Sequence, residues 1–108
     1  MSLNKRDYDR AILEFDLAIQ LKPDYADAYF QRGLAYYYHH RYARAIDDLS
    51  RCIELKPQDA SAYVWRSKLR TDIGECDTAS VDLQKAEELG IRSDLMSEVR
   101  ALKEKLKH

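Results

Sequence analysis

Apolar residues recur along this chain at steps of three and four, which is the spacing of one face of an α-helix. The first stripe with this spacing contains Tyr8, Ala11, Ile12, Phe15, Ala18 and Ile19. A second contains Tyr42, Ala45, Ile46, Leu49, Cys52 and Ile53. Similar patterns lie between and after these stripes. Together they predict six helices, at residues 7–21, 25–39, 42–55, 59–73, 76–89 and 93–106.

Proline and glycine mark the ends of several predicted helices. Pro23 and Pro57 close the first and third, because proline disfavours the helical conformation at the residue before it. Asp24 and Asp59 are then predicted to cap the helices that follow, and Gly90 to end the fifth helix. Since the connections are short, consecutive helices are predicted to be antiparallel neighbours.

The chain also repeats itself with a period of 34 residues, and 12 of the 25 positions from Tyr8 to Arg32 match the residue one period later. The matching residues of the first copy are Tyr8, Arg10, Ala11, Ile12, Ile19, Leu21, Lys22, Pro23, Ala26, Ala28, Tyr29 and Arg32. Such a period indicates stacked units that bury their apolar faces against each other. It predicts half a unit at residues 1–24, a complete unit at 25–58, a degenerate unit at 59–92 and a capping helix at 93–108.

The predicted capping helix carries an apolar stripe and otherwise charged faces. The stripe contains Leu95, Val99, Leu102 and Leu106. Helical stacks need ends with a polar outer face to stay soluble. A basic tail that binds nucleic acid is the alternative interpretation, and Glu98 and Glu104 argue against it.

Composition narrows the classes of function. The chain has 108 residues, 34% of them charged, with a formal net charge of −1. One domain is expected, and nothing in the charge balance points to a nucleic-acid or membrane partner. Cys52 and Cys76 are predicted to be buried reduced thiols. Together with an N-terminus that lacks the apolar core of a secretory signal, they favour a cytoplasmic protein.

No catalytic constellation is apparent in the sequence. His39 and His40 are adjacent and lack other ligands at metal-binding spacing, so they are predicted to be solvated turn residues. Ser67 has no base at a recognisable spacing, and no glycine-rich phosphate loop occurs. We therefore expect no enzyme activity, no cofactor and no metal site.

The central segment resembles the tetratricopeptide repeat (TPR) family. The residues that carry the resemblance are Tyr29, Arg32, Gly33, Tyr36, Ala45, Leu49 and Pro57. The next unit departs further, with Ser67 in the place of Gly33. The resemblance implies an all-α fold, a right-handed superhelical stack of antiparallel helix hairpins. Because the first helix of the first unit would precede Met1, the sequence suggests a fragment of a longer repeat array.

The resemblance also implies a protein–protein interaction module. In the family, the first helix of each hairpin lines a concave groove that takes a peptide. The corresponding groove residues are Asp27, Phe30, Leu34, Tyr37, Ser61, Val64, Lys68 and Thr71. Phe30, Leu34, Tyr37 and Val64 are the expected apolar anchors, with Lys68 as a polar contact. In the alternative, Phe30 or Tyr37 packs against a missing upstream helix.

One known activity of the family, gripping the acidic tail of a chaperone, is not expected. That activity uses a clamp of Lys, Arg and Asn residues, whereas Phe30, Gln31 and Leu34 occupy the corresponding positions here. The expected partner is another protein or a peptide segment.

Self-association is the second functional hypothesis. The incomplete first unit leaves an apolar stripe without its usual upstream helix. Two such ends could pair symmetrically and form a homodimer. The residues predicted for this face are Tyr8, Ile12, Phe15 and Ile19.

Overall fold

The computed structural model describes residues 5–90 and 95–106. Its helices are α1 (Lys5–Leu21), α2 (Ala26–Tyr38), α3 (Tyr42–Leu55), α4 (Ala60–Asp72), α5 (Cys76–Leu89) and α6 (Met96–Leu106). These limits lie within three residues of the predicted ones, and no strand occurs in the two described ranges. The prediction of an all-α helical repeat is confirmed. No helix in these ranges is long and apolar enough to cross a bilayer.

The chain divides into two compact units, Met1–Pro57 and Gln58–His108. The first unit contains α1, α2 and α3, and the second contains α4, α5 and α6. The division falls one residue before the predicted start of the degenerate repeat unit. Each unit therefore holds one helix hairpin with one further helix packed against it.

A close approach of two helices organises the α2–α3 hairpin of the first unit. A Cβ atom on Gly33 would lie 3.3 Å from the carbonyl oxygen of Ala45 and 3.3 Å from Cβ of Asp48. Leu49 and Cys52, on the same side of α3, are fully buried. The absence of a side chain at Gly33 thus lets the two helices pack closely along this side.

In the α4–α5 hairpin, a serine occupies the position that corresponds to Gly33. Ser67 lies one period after Gly33 and is fully buried. Its hydroxyl donates a hydrogen bond of 2.7 Å to the carbonyl oxygen of Ala79, the residue one period after Ala45. A small polar side chain is therefore accommodated here because the facing backbone oxygen accepts its proton.

Helix α6 completes the core of the second unit. The buried cluster contains Val64, Leu83, Ala86, Val99 and Leu102, and Tyr63, Leu95 and Leu106 pack against it. The apolar stripe predicted for the capping helix thus faces inward, onto α4 and α5. The burial of this stripe is what holds α6 in place.

Each hairpin contains an ion pair between a buried aspartate and a partly exposed arginine, and the two pairs are one period apart. Arg32 donates two hydrogen bonds to Asp48, from Nε at 2.8 Å and from Nη2 at 2.7 Å. Arg66 donates likewise to Asp82, at 2.9 and 2.7 Å. Each arginine lies on the first helix of its hairpin and each aspartate on the second. The pairs therefore join the two helices with the geometry typical of strong arginine–carboxylate contacts.

The first pair is extended by a second carboxylate, because Arg32 Nη1 also donates to Asp16 of α1 at 2.8 Å. The hydrogen bonds to Asp48 raise the pKa of Arg32 above its ordinary value, so the guanidinium stays charged. Burial raises the pKa of the Asp48 carboxyl, and the hydrogen bonds from Arg32 act against that increase. Arg32 thus connects all three helices of the first unit.

Two of the three predicted helix caps are present. Asp59 caps α4 by accepting a hydrogen bond of 3.1 Å from the backbone nitrogen of Ser61. Gly90 ends α5 with a φ of 94°, in the left-handed region that favours glycine. The prediction for Asp24 is wrong, because Tyr25 occupies the N-cap position of α2 without a side-chain hydrogen bond.

Neither cysteine forms a disulfide, and the two thiols differ in exposure. Cys52 lies on the packed side of α3 and is buried, as predicted. Cys76 is exposed, so the prediction of a buried thiol there is wrong. It is the first residue of α5, before the helix reaches the packed part of its hairpin.

Candidate peptide-binding surface

The four predicted groove residues of α2 lie at steps of three and four and share one face of the helix. Phe30, Leu34 and Tyr37 are half buried. Asp27 is exposed, and its carboxylate pairs with the Lys56 ammonium at 3.1 Å. The α2 face therefore presents partly accessible apolar and aromatic side chains, with an exposed ion pair at its N-terminal end.

Tyr37 belongs to a row of stacked tyrosines at the C-terminal end of α2. Its ring lies 5.2 Å from the ring of Tyr38, with 17° between the planes. Tyr38 in turn stacks on Tyr8 of α1 at 5.8 Å and 12°. On its other side, Tyr37 meets Tyr42 of α3 at 5.8 Å in a tilted arrangement. All three helices of the first unit thus contribute to this tyrosine row, and stacking holds its rings in place.

An open cavity of about 500 Å³ adjoins the tyrosine row. The residues that line this cavity are Tyr8, Tyr38, His39, His40 and Arg41. Arg41 Nε donates a hydrogen bond of 3.0 Å to His39 Nδ1, and His39 Nε2 lies 3.2 Å from a carboxylate oxygen of Asp9. Only 7% of the His39 side chain is exposed. The prediction of a solvated histidine pair is therefore wrong for His39, because α1 contributes Asp9 and Tyr8 beside it.

His40 is exposed, as predicted, and has an unusual backbone conformation. Its φ is 62°, which non-glycine residues rarely adopt. Its Nδ1 lies 3.0 Å from the hydroxyl oxygen of Tyr42. Among residues 5–90 and 95–106, no group of three or more His, Cys, Asp or Glu side chains could hold a metal ion. His108 lies outside the described residues.

The predicted groove residues of α4 have a different environment. Val64 is 2% exposed and part of the buried cluster with α5 and α6, so its assignment to an open groove is wrong. The Lys68 ammonium pairs with Glu98 of α6 at 3.3 Å. Thr71 donates to a backbone carbonyl one turn earlier, and Ser61 is partly exposed. Within the second unit, α6 thus packs onto the α4 side that carries Val64 and Lys68.

A sequence model of the tetratricopeptide repeat matches residues 1–70. This match covers most of the chain. The chain belongs to the tetratricopeptide repeat family. A comparison with curated proteins finds no match.

Solved TPR structures share this fold along nearly the whole chain. The TPR2B domain of yeast Sti1, in complex with an Hsp70 peptide, is 23% identical to this chain. The alignment covers 95% of this chain and 85% of the Sti1 chain, with a TM-score of 0.86. The Yersinia enterocolitica secretion chaperone SycD, with a peptide of YopD, is 19% identical, with 94% and 80% coverage and a TM-score of 0.87. The second TPR domain of human RPAP3, with an HSP70 peptide, is 25% identical, with 89% and 81% coverage and a TM-score of 0.78.

Helix α1 of this TPR chain has apolar residues on two opposite sides. The four residues predicted for self-association are half buried, and they are Tyr8, Ile12, Phe15 and Ile19. The opposite side carries Leu13, Leu17 and Leu21, which are 64%, 60% and 88% exposed. We call these three residues the leucine stripe.

The leucine stripe was not predicted, although the repeat contains a signal for it. One TPR period after Leu13 and Leu17 stand Asp47 and Arg51, which are both charged and exposed. Comparing the two copies position by position therefore reveals that α1 has apolar residues where its copy is polar. The apolar spacing alone did not reveal this, because it marks a helix face without saying whether another helix covers it.

Proposed function

We propose that this TPR chain is a protein–protein interaction module that binds a peptide segment on the apolar-aromatic face of α2. The binding residues would be Phe30, Leu34 and Tyr37, with Tyr38 extending the surface at its C-terminal end. The tyrosine row carries the proposal, because its rings are held in place before a partner arrives. A surface that is ordered in advance loses little side-chain freedom on binding.

The character of the α2 face supports an apolar or aromatic partner segment. Phe30, Leu34 and Tyr37 provide apolar area, while Tyr38 is 48% exposed and can present both its ring face and its hydroxyl. Such side chains dominate binding energies where a partner covers them fully. No chemical step is needed for this function.

The solved relatives support binding of a peptide in general, since three of them hold one. The particular ligand of the Sti1 and RPAP3 domains, a chaperone peptide, is not carried over. Phe30, Gln31 and Leu34 replace the basic and amide residues that the family uses to grip an acidic tail. We therefore propose that the preferred peptide contains apolar or aromatic residues rather than a run of carboxylates.

Selection from a random peptide library would test this proposal. We expect enriched peptides to contain an aromatic or large aliphatic residue. Replacing Phe30 or Tyr38 with Ala should weaken binding of a selected peptide by about tenfold or more. Tyr25→Ala is the matched control, because Tyr25 is a partly exposed tyrosine at the opposite end of α2.

Two results would contradict this function. One is the absence of any peptide whose binding depends on Phe30 or Tyr38. The other is an equal loss of affinity in the Tyr25→Ala control. In either case the α2 face would not be the binding surface.

Self-association is the second candidate function, and the exposed leucine stripe favours it. The predicted face, Tyr8, Ile12, Phe15 and Ile19, remains a candidate surface for it. Measurement of the solution mass by light-scattering chromatography over a wide range of concentration would test this function. A monomer at every concentration would exclude self-association of this chain under those conditions.

A further inference from the structure

Helix α1 is open on the side that its repeat copies, α3 and α5, have covered by another helix. On α3 this side is at most 5% exposed beneath α2, and its residues are Ala45, Asp48, Leu49 and Cys52. On α5 it is at most 4% exposed beneath α4, and its residues are Ala79, Asp82, Leu83 and Ala86. On α1 the same repeat positions, which we call the open side, hold Ala11, Glu14, Phe15 and Ala18. Glu14 is exposed and the other three residues are only partly buried.

A cavity of about 270 Å³ lies along the open side, between α1 and α2. Its α1 wall is formed by Glu14, Phe15 and Ala18, and its α2 wall includes Tyr25 and Gln31. Among the side chains that the structure describes, none forms an ion pair with the Glu14 carboxylate. The open side therefore combines an apolar surface with an accessible negative charge.

The two hairpins show which charge is placed over this side. In each hairpin the covering helix donates an arginine to the aspartate that stands at the repeat position of Glu14. Arg32 of α2 reaches Asp48 at 2.8 Å, and Arg66 of α4 reaches Asp82 at 2.9 Å. A carboxylate at this position is therefore matched by an arginine of the covering helix.

The hairpins also show the size of side chain that fits over this side. The residue after the arginine is small in both covering helices, and it lies against the repeat position of Ala11. A Cβ atom on Gly33 would be 3.3 Å from the carbonyl oxygen of Ala45, and Ser67 Oγ is 2.7 Å from that of Ala79. An arginine followed by glycine or serine is thus the shared pattern of the helices that cover this side.

We propose that the open side of α1 docks an amphipathic helix of a partner protein, antiparallel to α1, in which an arginine is followed by glycine or serine. The arginine pairs with Glu14, and the small residue lies over Ala11 beside Phe15. This surface is additional to the α2 face proposed above for peptide binding, and different residues form it.

A second copy of this chain fits the open side less well. Its helices with the required pattern, α2 and α4, already use Arg32 and Arg66 within their own hairpins. Two open sides facing each other would bring two Glu14 carboxylates into one contact, with no basic residue among the four positions. Like charges in a contact oppose association.

A synthetic peptide with the sequence of residues 24–40 is the main probe, because it contains Arg32 and Gly33 in the pattern that covers α3. The labelled peptide is titrated into the chain, and binding is followed by fluorescence anisotropy. Since an isolated helix of this length is marginally stable in water, binding should also raise the helix content measured by circular dichroism.

Charge exchange tests the contact with Glu14. Glu14→Arg should weaken binding of the peptide by about tenfold or more, and a peptide with Glu in place of Arg32 should restore it. Glu88→Arg is the matched control, because Glu88 is an exposed glutamate on α5. An equal loss in both variants would show that only the net charge matters and would overturn the proposal.

Cysteine pairing tests the position of the docked helix. A second peptide, of residues 58–74, carries Cys in place of Ser67 and is mixed with Ala11→Cys protein in a Cys76→Ser background under oxidising conditions. A mixed disulfide is expected with Ala11→Cys and not with Leu17→Cys, which lies outside the open side. A peptide that merely displaced α4 from α5 would give no disulfide at residue 11 and would overturn the proposal.

Four further results would also overturn it, and each points to a different explanation. Failure of both peptides to bind would exclude this surface, while library-selected peptides could still bind the α2 face. Binding that is lost in Phe30→Ala but kept in Glu14→Arg would place the peptide on the α2 face. A homodimer that is lost in Glu14→Arg would identify a second copy as the occupant. If residues 1–108 bind the peptide and the protein as its gene encodes it does not, a segment of the same polypeptide covers the open side.

Discussion

Replacing Asp48 with Ala would measure how much the repeated arginine–aspartate pairs stabilise the hairpins. Asp48 is 5% exposed and accepts two hydrogen bonds from Arg32, at 2.8 and 2.7 Å. The substitution removes this carboxylate and leaves the guanidinium between α2 and α3 without its main partner. We expect a large loss of stability with little change in helix content.

The magnitude follows from the surroundings of Arg32. Removing one partner of a fully buried ion pair costs about 3–5 kcal/mol. Arg32 keeps its hydrogen bond to Asp16 at 2.8 Å, and 20% of its side chain is exposed, so water can reach it. We therefore expect about 2–3 kcal/mol, which corresponds to a decrease in Tm of roughly 10–20 °C for a chain of this size.

Urea and thermal unfolding followed by circular dichroism would provide the measurement. The control is Asp47→Ala, an exposed neighbour, for which the change should stay within about 0.5 kcal/mol. Asp82→Ala should cost more than Asp48→Ala, because it leaves both Arg66 and Arg70 without a carboxylate that each contacts at 2.7 Å. Equal, small effects of Asp48→Ala and Asp47→Ala would refute this reasoning.

A second comparison separates the ion pair from general packing. Replacing Arg32 and Asp48 together with Leu removes both charges and keeps apolar volume between the helices. This double variant should be more stable than Asp48→Ala, since no unpaired charge remains buried. A further loss of stability would instead mean that the shape of the pair matters more than its charge.

Three further single substitutions test other local contacts, and the change in stability is measured by urea unfolding for each. Gly33→Ala should destabilise the chain by about 1 kcal/mol, because crowding against α3 exceeds the gain in helix propensity; a stabilised variant would contradict the close approach. Ser67→Ala should cost about 1 kcal/mol, since the hydrogen bond from the buried hydroxyl to the Ala79 carbonyl is lost, and an unchanged stability would mean that this hydrogen bond contributes nothing net. Asp59→Ala should cost about 1 kcal/mol by removing the cap on the Ser61 nitrogen, and no loss would show that the cap contributes nothing.

The proposed peptide surface and the exposed leucine stripe lie on different helices of the first unit. The α2 face is formed by half-buried aromatic and aliphatic residues beside the tyrosine row. The leucine stripe is on α1 and contains fully aliphatic, exposed side chains. A single set of variants can therefore address both functions, because Phe30→Ala should affect peptide binding and Leu17→Arg should affect only the mass.

Much of the fold could be predicted because its determinants are local in sequence. Apolar spacing of three and four indicates helices wherever it occurs, and Pro23, Pro57 and Gly90 end them through backbone restrictions of their own. The 34-residue period then implies that each hairpin packs as its copy does. For the same reason the hairpin contacts at Gly33 and Ser67 follow from repeat position.

The burial and contacts of the candidate site residues could be predicted less well from the sequence pattern. Val64 occupies the repeat position of Phe30, yet it is buried, because α6 joins α4 and α5 around it. His39 lies in a predicted turn, yet Asp9 and Arg41 surround it. A periodic pattern assigns a residue to one side of a helix, but burial depends on which distant segment packs against that side.

The sequence by itself determined the helices, their order and the repeat family, since each depends on spacing within about one period. The tertiary structure alone decided which apolar faces are covered. On α1 the two apolar sides are nearly indistinguishable by spacing, and only the packing of α2 half buries one side and leaves Leu13, Leu17 and Leu21 exposed. The physical reason is that hydrophobic burial is a property of two surfaces in contact, and a linear pattern specifies only one of them.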